Sequence, residues 1–296
     1  MIRGWICSRA FDIVLRMSRT LLVRLSATVL VLMGSWAAYT QQGKQANNKL
    51  NKIADDLYEI EGDGGNVAVY ITNEGAILVD DKFEYDFNDI MAKVKSVTNQ
   101  PVKYLMSTHH HGDHTGSSDK FLPTTEIVAH KNNRMQMIQG KQPGVPRVVF
   151  SEEASVFLGG KEVRAKYFGR GHTNGDAMIY FPALRVLHTG DLMAGANPLI
   201  DYSGGGSLKE WTATLDAALK LDFDTVIPGH GPIQKKADMM KYRDGIDKFT
   251  KQMSQMIRGG KSKDEVAKTL QSDFGWDPKG LQMTRGLDGM MVEMKN

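Results

Sequence analysis

The sequence predicts an α/β fold in which two β-sheets face each other and helices cover the outer faces. Two observations support it. Short apolar runs with strand spacing lead each half of the chain, and amphipathic helical patterns follow them. The order of strands and then helices occurs twice, which is typical of two sheets packed together. We therefore expect one α/β domain over residues 55–296, a four-layered αββα sandwich, and not two separable domains.

In the first half, strand patterns are predicted at 57–61, 66–72 and 76–80, with a tight turn at 73–75 between the last two. Apolar residues at helical spacing predict a helix over 85–97, which Pro101 follows. A strand at 102–107 comes next, and then a strand and helix pair at 126–130 and 131–139. A loop rich in glycine and proline at 140–146 ends this half.

The second half is predicted in the same way. Strand patterns lie at 148–150, 155–158, 161–167, 177–181, 186–188 and 225–227. A helix is predicted over 207–219, with Ser207 as its N-cap and Glu210 three residues later. Helices at 235–257 and 262–271 follow, the second capped by Ser262.

The first 40 residues have the pattern of a secretory signal peptide. Five arginines precede an apolar run at 25–34, and small residues such as Ala37 and Ala38 follow it. The run is too short to span a bilayer unaided, so a retained membrane anchor is the weaker alternative. We expect 1–40 to be cleaved, 41–54 to be a polar linker, and the mature protein to be periplasmic or secreted without stable membrane association.

Charge and cysteine content limit the function of the mature chain. The full chain has 37 basic and 34 acidic residues and a formal charge of +3. Residues 1–40 contain five of those basic residues and one of the acidic ones, so the remainder has a net charge of −1. Such a chain lacks the basic surface that nucleic acids require, and we expect a small-molecule substrate. The single cysteine, Cys7, lies in the signal, which excludes a cysteine nucleophile and thiolate metal ligands.

Histidines and aspartates are concentrated in short motifs that follow predicted strands. The first motif is His-His-His-Gly-Asp-His at 109–114, after the strand at 102–107. His109 and His111 are two residues apart, so on an extended chain both side chains point to the same side. The other motifs are Gly-His-Thr-Asn-Gly-Asp at 171–176, Gly-Asp at 190–191 and Pro-Gly-His-Gly at 228–231. Burying such groups is costly without a divalent cation, which predicts a metal site at one sheet edge.

These four motifs, in this order and spacing, resemble those of the metallo-β-lactamase superfamily. The resemblance extends over about residues 55–233. It implies the αββα sandwich with a dinuclear metal site. It makes His109, His111 and His172 ligands of one metal, Asp113, His114 and His230 ligands of the other, and Asp191 a bridge between them. Imidazole and carboxylate ligands suit Zn²⁺, and we expect two zinc ions per chain; iron or manganese accepts the same ligands.

The resemblance implies a hydrolase in which a metal-bound hydroxide attacks an ester, lactone, thioester or amide carbonyl. Asp113 is the expected catalytic residue, acting as general acid and base. The alternatives are a true β-lactamase and an iron-dependent relative that does not catalyse hydrolysis.

Departures from the β-lactamases favour the other hydrolases. One β-lactamase subclass has Arg at the position of His114 and Cys at that of Asp191. A bridging Asp is instead a feature of glyoxalase-II-like, lactonase-like and ribonuclease-Z-like relatives, and the net charge of −1 disfavours the ribonuclease. The short turn at 73–75 leaves little room for a flap over a β-lactam. We expect Asn197 and Tyr202, in the loop at 194–207, to contact the substrate.

Overall fold

Residues 47–295 are described in a computed structural model of the chain. The predicted signal peptide at 1–40 therefore lies outside the described residues. Within 47–295 no helix combines the length and the apolar character that are needed to cross a bilayer.

The first sheet has seven strands that pair in the order of the sequence. The first four are antiparallel, and the last three add in parallel. The strands are β1 Lys49–Ala54, β2 Leu57–Glu61, β3 Val67–Ile71, β4 Ala76–Val79, β5 Val102–Ser107, β6 Glu126–His130 and β7 Val148–Phe150. The segment 49–54 was expected to belong to a linker. That expectation is wrong, because β1 pairs along β2.

The second sheet has six strands in the order β13-β12-β11-β10-β9-β8. β11 and β12 are parallel, and the other neighbours are antiparallel. The strands are β8 Glu153–Leu158, β9 Lys161–Tyr167, β10 Ala177–Phe181, β11 Val186–Ala194, β12 Thr225–His230 and β13 Gln234–Lys235. Both β11 and β12 continue beyond their predicted ends, so Asp191 and His230 lie within strands and not after them.

Eight helices lie within the described part of the chain, and two of them are single turns. The helices are α1 Phe87–Val97, α2 Gly112–Thr115, α3 Ser118–Phe121, α4 Lys131–Gln139, α5 Leu208–Ala218, α6 Lys236–Arg258, α7 Lys263–Phe274 and α8 Leu281–Glu293. Ser207 and Ser262 accept hydrogen bonds from the backbone three residues later, as capping residues do. The short helices α2 and α3 and the C-terminal α8 were not predicted.

Three apolar clusters show the order of the layers. In β3, Val69 packs on the side of α1, whereas Ala68 and Tyr70 face the second sheet. The central cluster contains residues of both sheets, such as Ile77 and Ile179. A third cluster packs the second sheet against α5 to α8. Both faces of the central strands are therefore buried, which confirms the predicted αββα sandwich.

The turn at 72–75 lies far from the edge of the sheet where the histidines gather. Thr72 donates its backbone N–H to the Gly75 carbonyl at 2.9 Å, as expected for a tight turn. The loop beside the histidines is 62–66 instead, where the Gly65 N–H donates to the Asp113 carbonyl at 2.9 Å. The short turn at 73–75 therefore does not limit a flap over the site, contrary to expectation, because it lies at the opposite end of the strands.

Candidate functional site

Three imidazoles converge on one point beyond the end of β5. His111 Nδ1 lies 3.2 Å from His109 Nε2 and 2.9 Å from His172 Nε2. His109 and His111 follow β5 directly, and the loop between β9 and β10 carries His172. Two nitrogens that bind one tetrahedral Zn²⁺ are roughly 3.3 Å apart, given metal–nitrogen distances of about 2.0 Å. The three histidines are therefore spaced as ligands of a single ion.

A second group of side chains faces a neighbouring point. His230 Nε2, at the end of β12, lies 3.4 Å from His114 Nε2 and 3.2 Å from Asp113 Oδ2. Asp113 and His114 belong to α2, the single helical turn that follows His111. These three residues offer ligand atoms within 4.8 Å of one another. This set also fits one divalent cation.

The carboxylate of Asp191 lies between the two groups. Its Oδ2 is 3.5 Å from His172 Nε2 and 4.0 Å from His109 Nε2. Its Oδ1 is 3.2 Å from His114 Nε2 and 3.4 Å from His230 Nε2, and this buried oxygen accepts no hydrogen bond among the described residues. One oxygen thus faces each group, as expected for a carboxylate that bridges two metal ions.

Glycine at position 229 makes room for that carboxylate. A Cβ atom at Gly229 would lie 2.0 Å from Asp191 Oδ1. Any other residue at 229 would therefore displace Asp191 from between the two histidine groups. Gly229, the first glycine of the Pro-Gly-His-Gly motif, therefore has a steric role in the site.

Five histidines belong to the two ligand groups. Four of them form a hydrogen bond inside the protein through the ring nitrogen that does not face the other ligands. An imidazole whose second ring nitrogen is held in this way is typical of metal ligands. The pairs are His109 Nδ1 with Thr108 Oγ1 at 3.1 Å, His111 Nε2 with Asp201 Oδ2 at 2.8 Å, His114 Nδ1 with Asp80 Oδ2 at 2.7 Å, and His172 Nδ1 with the Leu199 carbonyl at 2.5 Å.

Asp80 and Asp201 were not predicted to be the partners of ligand histidines. The signal for Asp80 was present, since it is an acid directly after the buried strand β4. Asp201 comes from the loop after β11, 90 residues from His111. No local pattern connects two residues so distant in the chain.

The electrostatics differ among the ligand residues. Burial lowers the pKa of His114 and of His230, but the carboxylates of Asp80, Asp113 and Asp191 outweigh it, raising the pKa of His114 well above its usual value and that of His230 to about 9. These two imidazoles would therefore lose a proton on binding a metal ion.

Burial lowers the pKa of His109 well below its usual value and that of His172 to about 4, so both imidazoles are neutral. Burial raises the pKa of Asp113, but hydrogen bonding to His230 and the charge of His114 outweigh it and leave that pKa at about 2. The carboxylate is therefore ionised at neutral pH.

An open cavity of about 800 Å³ leads to these groups, a size suited to a small molecule. His111, Asp113, Asp191 and His230 lie in its wall. The rest of the wall is formed by Phe83, His110, Gly112, Gln142, Ala194, Gly195, Leu199, Asp201, Ser203, Leu281, Gln282 and Arg285. His110 is buried there, so it does not face solvent.

The two predicted substrate contacts lie outside this wall. Asn197 donates from its side-chain amide to the Phe274 carbonyl at 2.7 Å. The Tyr202 hydroxyl donates to Glu293 Oε2 at 2.8 Å, and its ring packs against the core of the second sheet. Both side chains hold the loop after β11 to the C-terminal helices. The prediction that they contact the substrate is wrong for this geometry.

Comparison with known proteins agrees with the motifs. Residues 60–230 match the family model described as the metallo-beta-lactamase superfamily. The chain is 26% identical over 230 residues to the Beta-lactamase-like protein 2 homolog of Caenorhabditis elegans, covering 73% of this chain and 75% of that protein. It is 25% identical over 174 residues to Metallo-beta-lactamase IND-1 of Chryseobacterium indologenes, covering 56% and 71%.

A solved structure shares the fold. A metallo-beta-lactamase from Pontibacter korlensis superposes with a TM-score of 0.63 at 20% identity, over 68% of this chain and 99% of that one. The family match covers more than half of the chain, and it includes every residue of the two metal-ligand groups. The chain belongs to the metallo-β-lactamase superfamily, and it is a metallo-hydrolase.

Proposed function

We propose that this protein is a dinuclear zinc hydrolase that acts on a carbonyl substrate such as an ester, lactone, thioester or amide. The position of Asp191 carries the proposal, because its two oxygens face two separate ligand groups. His109, His111 and His172 would hold one ion, and Asp113, His114 and His230 the other. The nitrogen and oxygen donors suit zinc, and no thiolate is among them.

Bound zinc would supply a hydroxide nucleophile at neutral pH and would polarise the carbonyl. The protein's own part in catalysis is the handling of protons. Asp113 lines the cavity and is ionised, so a carboxylate oxygen of Asp113 can accept a proton from the nucleophile and return it to the leaving group. Thr108, Asp201 and Asp80 hold the ligand imidazoles in place.

We also propose that the substrate is a small molecule and that the mature enzyme works in the periplasm or outside the cell. The size of the cavity supports the first part. The charge pattern of residues 1–40 supports the second.

The chemistry is tested by assaying the zinc-loaded protein against a lactone, a 4-nitrophenyl ester, a thioester, a chromogenic cephalosporin and a phosphodiester side by side. The proposal expects the highest kcat/KM among the first three. Cephalosporin turnover comparable with the best of them would make the protein a β-lactamase. No turnover of any carbonyl substrate, or the highest turnover for the phosphodiester, would contradict the proposal.

The role of Asp113 is tested by Asp113→Asn. We expect kcat to fall by about 10²- to 10⁴-fold, as on loss of a general acid and base, while part of the metal is retained. Metal content and kcat are measured on the same preparation. Asp55→Asn is the control, since that side chain is 95% exposed and away from the site. Unchanged kcat in Asp113→Asn would remove Asp113 from the mechanism.

A further inference from the structure

An arginine that forms no ion pair with the described residues lies at the wall of the cavity. Arg285 shares that wall with His110, Asp113 and His230. Its side chain is exposed, and within residues 47–295 no carboxylate lies within the 4.0 Å of an ion pair. The guanidinium is therefore part of the cavity wall, and no residue of 47–295 neutralises it by an ion pair.

The helix that carries Arg285 is fixed against the loop after β11. Glu293, near the end of α8, accepts hydrogen bonds from the Tyr202 hydroxyl at 2.8 Å, from Ser207 Oγ at 2.5 Å and from the Leu208 N–H at 3.1 Å. The backbone of α8 also lies directly on the Tyr202 ring, where a Cβ at Gly289 would be 2.1 Å from Cγ. Arg285 therefore extends from a rigid element, as binding residues do.

The face of α8 toward the cavity combines a cation with an apolar group. Leu281 and Arg285 are one helical turn apart, so their side chains are neighbours. Leu281 is 55% exposed at this rim, whereas Met283, Leu287 and Met290 are buried on the other side of the helix. A ligand with an apolar body and one negative group fits this face.

The distribution of charge in the cavity limits where such a negative group can lie. Asp113, Asp191 and Asp201 are the carboxylates of the described wall, and Arg285 is its one lysine or arginine. With zinc bound, the deep end of the cavity would also carry positive charge, and the carbonyl that is hydrolysed would lie there. A separate carboxylate of the same molecule would then meet Arg285 at the rim, where the planar guanidinium matches it.

We propose that Arg285 binds a carboxylate of the substrate, so that the preferred substrate is a hydrolysable carbonyl compound with a separate acid group. The proposal rests on the hydrolase function proposed above and specifies its substrate class. The family match ends at residue 230. Arg285 therefore lies outside the matched region, in the C-terminal part of this chain.

The test compares two esters that differ only in charge. These are mono-4-nitrophenyl glutarate and its methyl ester, each assayed with the zinc-loaded protein. The expected result is a higher kcat/KM for the acid. Arg285→Gln should lower the ratio of kcat/KM for the acid to kcat/KM for the methyl ester by about tenfold, because one charge-assisted hydrogen-bonded pair is lost. Arg285→Lys should retain part of the preference.

Lys279→Gln is the matched control, because it removes one exposed positive charge just before α8 that does not line the cavity. It should keep the ratio of the wild-type protein. If Arg285→Gln hydrolyses both esters with the wild-type ratio, the proposal is overturned.

A binding measurement separates this proposal from the hydrolase function itself. Glutaric acid monoanilide and its methyl ester are titrated calorimetrically into the same proteins. If neither 4-nitrophenyl ester is hydrolysed, the hydrolase proposal fails. The affinities of the two anilides still show whether Arg285 binds a carboxylate. Binding of the acid should be about tenfold weaker to Arg285→Gln. Equal binding to both proteins, or tighter Arg285-dependent binding of phenyl phosphate, would overturn the carboxylate assignment.

Discussion

Asp201 shows how a single residue outside the sequence motifs can determine the geometry of the site. His111 presents Nδ1 to the other histidines because its Nε2 is held by Asp201 at 2.8 Å. Asp201 is itself held by the Gly204 N–H at 3.0 Å and by the Ser203 hydroxyl. The loop after β11 therefore orients a ligand that it does not contribute.

Asp201→Asn tests this orientation. We expect metal affinity to fall by about 10- to 100-fold, as is usual when the partner of a ligand histidine is lost. The affinity is measured by competition with a chelator. Asp277→Asn, an exposed acid before α8, should bind metal like the wild-type protein. Wild-type affinity in Asp201→Asn would show that His111 is held in place by other contacts.

Glu59 makes the stability of the fold depend on pH. Its side chain is fully buried in β2, and Asn51 donates to Oε2 at 3.1 Å, while Oε1 accepts no hydrogen bond in the described part of the chain. Burial raises its pKa from 4.5 to about 7. Between these values the folded protein keeps a proton that the unfolded chain releases, so this group lowers stability as the pH rises from 4.5 to 7.

Glu59→Gln removes that titration. The variant should gain stability relative to the wild-type protein as the pH rises, by about 3 kcal/mol between pH 4.5 and pH 8 at about 1.4 kcal/mol per pKa unit. Urea unfolding at pH 5 and pH 8 measures the difference. Glu74→Gln, at an exposed position, should show no such trend. If the difference in free energy of unfolding between Glu59→Gln and the wild-type protein does not change with pH, the raised pKa of Glu59 is contradicted.

Among individual residues, the metal-ligand groups were predictable, because short motifs contain all of their members. His109 to His114 are close in sequence, and each remaining ligand has a glycine beside it in its motif. Asp80 had a local signal, because it is an acid directly after the buried strand β4. The roles of Asp201 and Arg285 were not predictable, because both residues reach the site only through the packing of a distant segment, which local sequence does not encode.

At the level of elements, the central strands and capped helices were predicted well, because both signals are local. β6 and α4 have the predicted boundaries, and Ser207 and Ser262 cap their helices as expected. β11 was predicted too short because Gly190 interrupts its apolar pattern, although the strand continues through a register shift to Ala194.

The C-terminal helix α8 was missed because its own propensity is low. It contains Gly286 and Gly289, and no side chain caps its start. It is helical because Met283, Leu287 and Met290 pack into the core of the second sheet. Tertiary packing outweighs local preference here, and it also brings Arg285 to the cavity.

Gly289→Ala tests the packing of this helix. A Cβ atom 2.1 Å from the Tyr202 ring must displace it, and overpacking of this kind costs about 1–3 kcal/mol, which exceeds the helix propensity that alanine adds. We therefore expect a lower free energy of unfolding. Gly245→Ala in α6 is the control: a Cβ there meets no atom within 4 Å, so it should stabilise by about 0.5–1 kcal/mol. Equal stabilisation by both variants would contradict the close contact.

At the scale of the whole described domain, the site connects the two sheets. His109 and His111 follow β5 of the first sheet, whereas Asp191 and His230 lie in strands of the second. Backbone contacts reinforce this connection, since the Asn66 N–H donates to the Gly229 carbonyl at 2.7 Å and the Ala177 N–H to the Thr108 carbonyl at 2.8 Å. Metal ions bound here would hold the sheets together.

Metal removal should therefore destabilise the protein. A ligand that binds only the folded state raises its stability, so treatment with a chelator should lower Tm and added zinc should restore it. Differential scanning calorimetry measures the change. The variant His109→Ala/His230→Ala should respond little to the chelator. An unchanged Tm in the wild-type protein would mean that no metal contributes to the stability of the folded state.

The most direct test of the account is the metal content of the purified protein and of Asp191→Asn, measured by inductively coupled plasma mass spectrometry. The geometry of Asp191 leads us to expect about two zinc ions per chain in the wild-type protein and fewer in the variant, because one carboxylate would serve both proposed ions. One ion or none in the wild-type protein, or the same content in both proteins, would contradict a shared carboxylate between two metal sites.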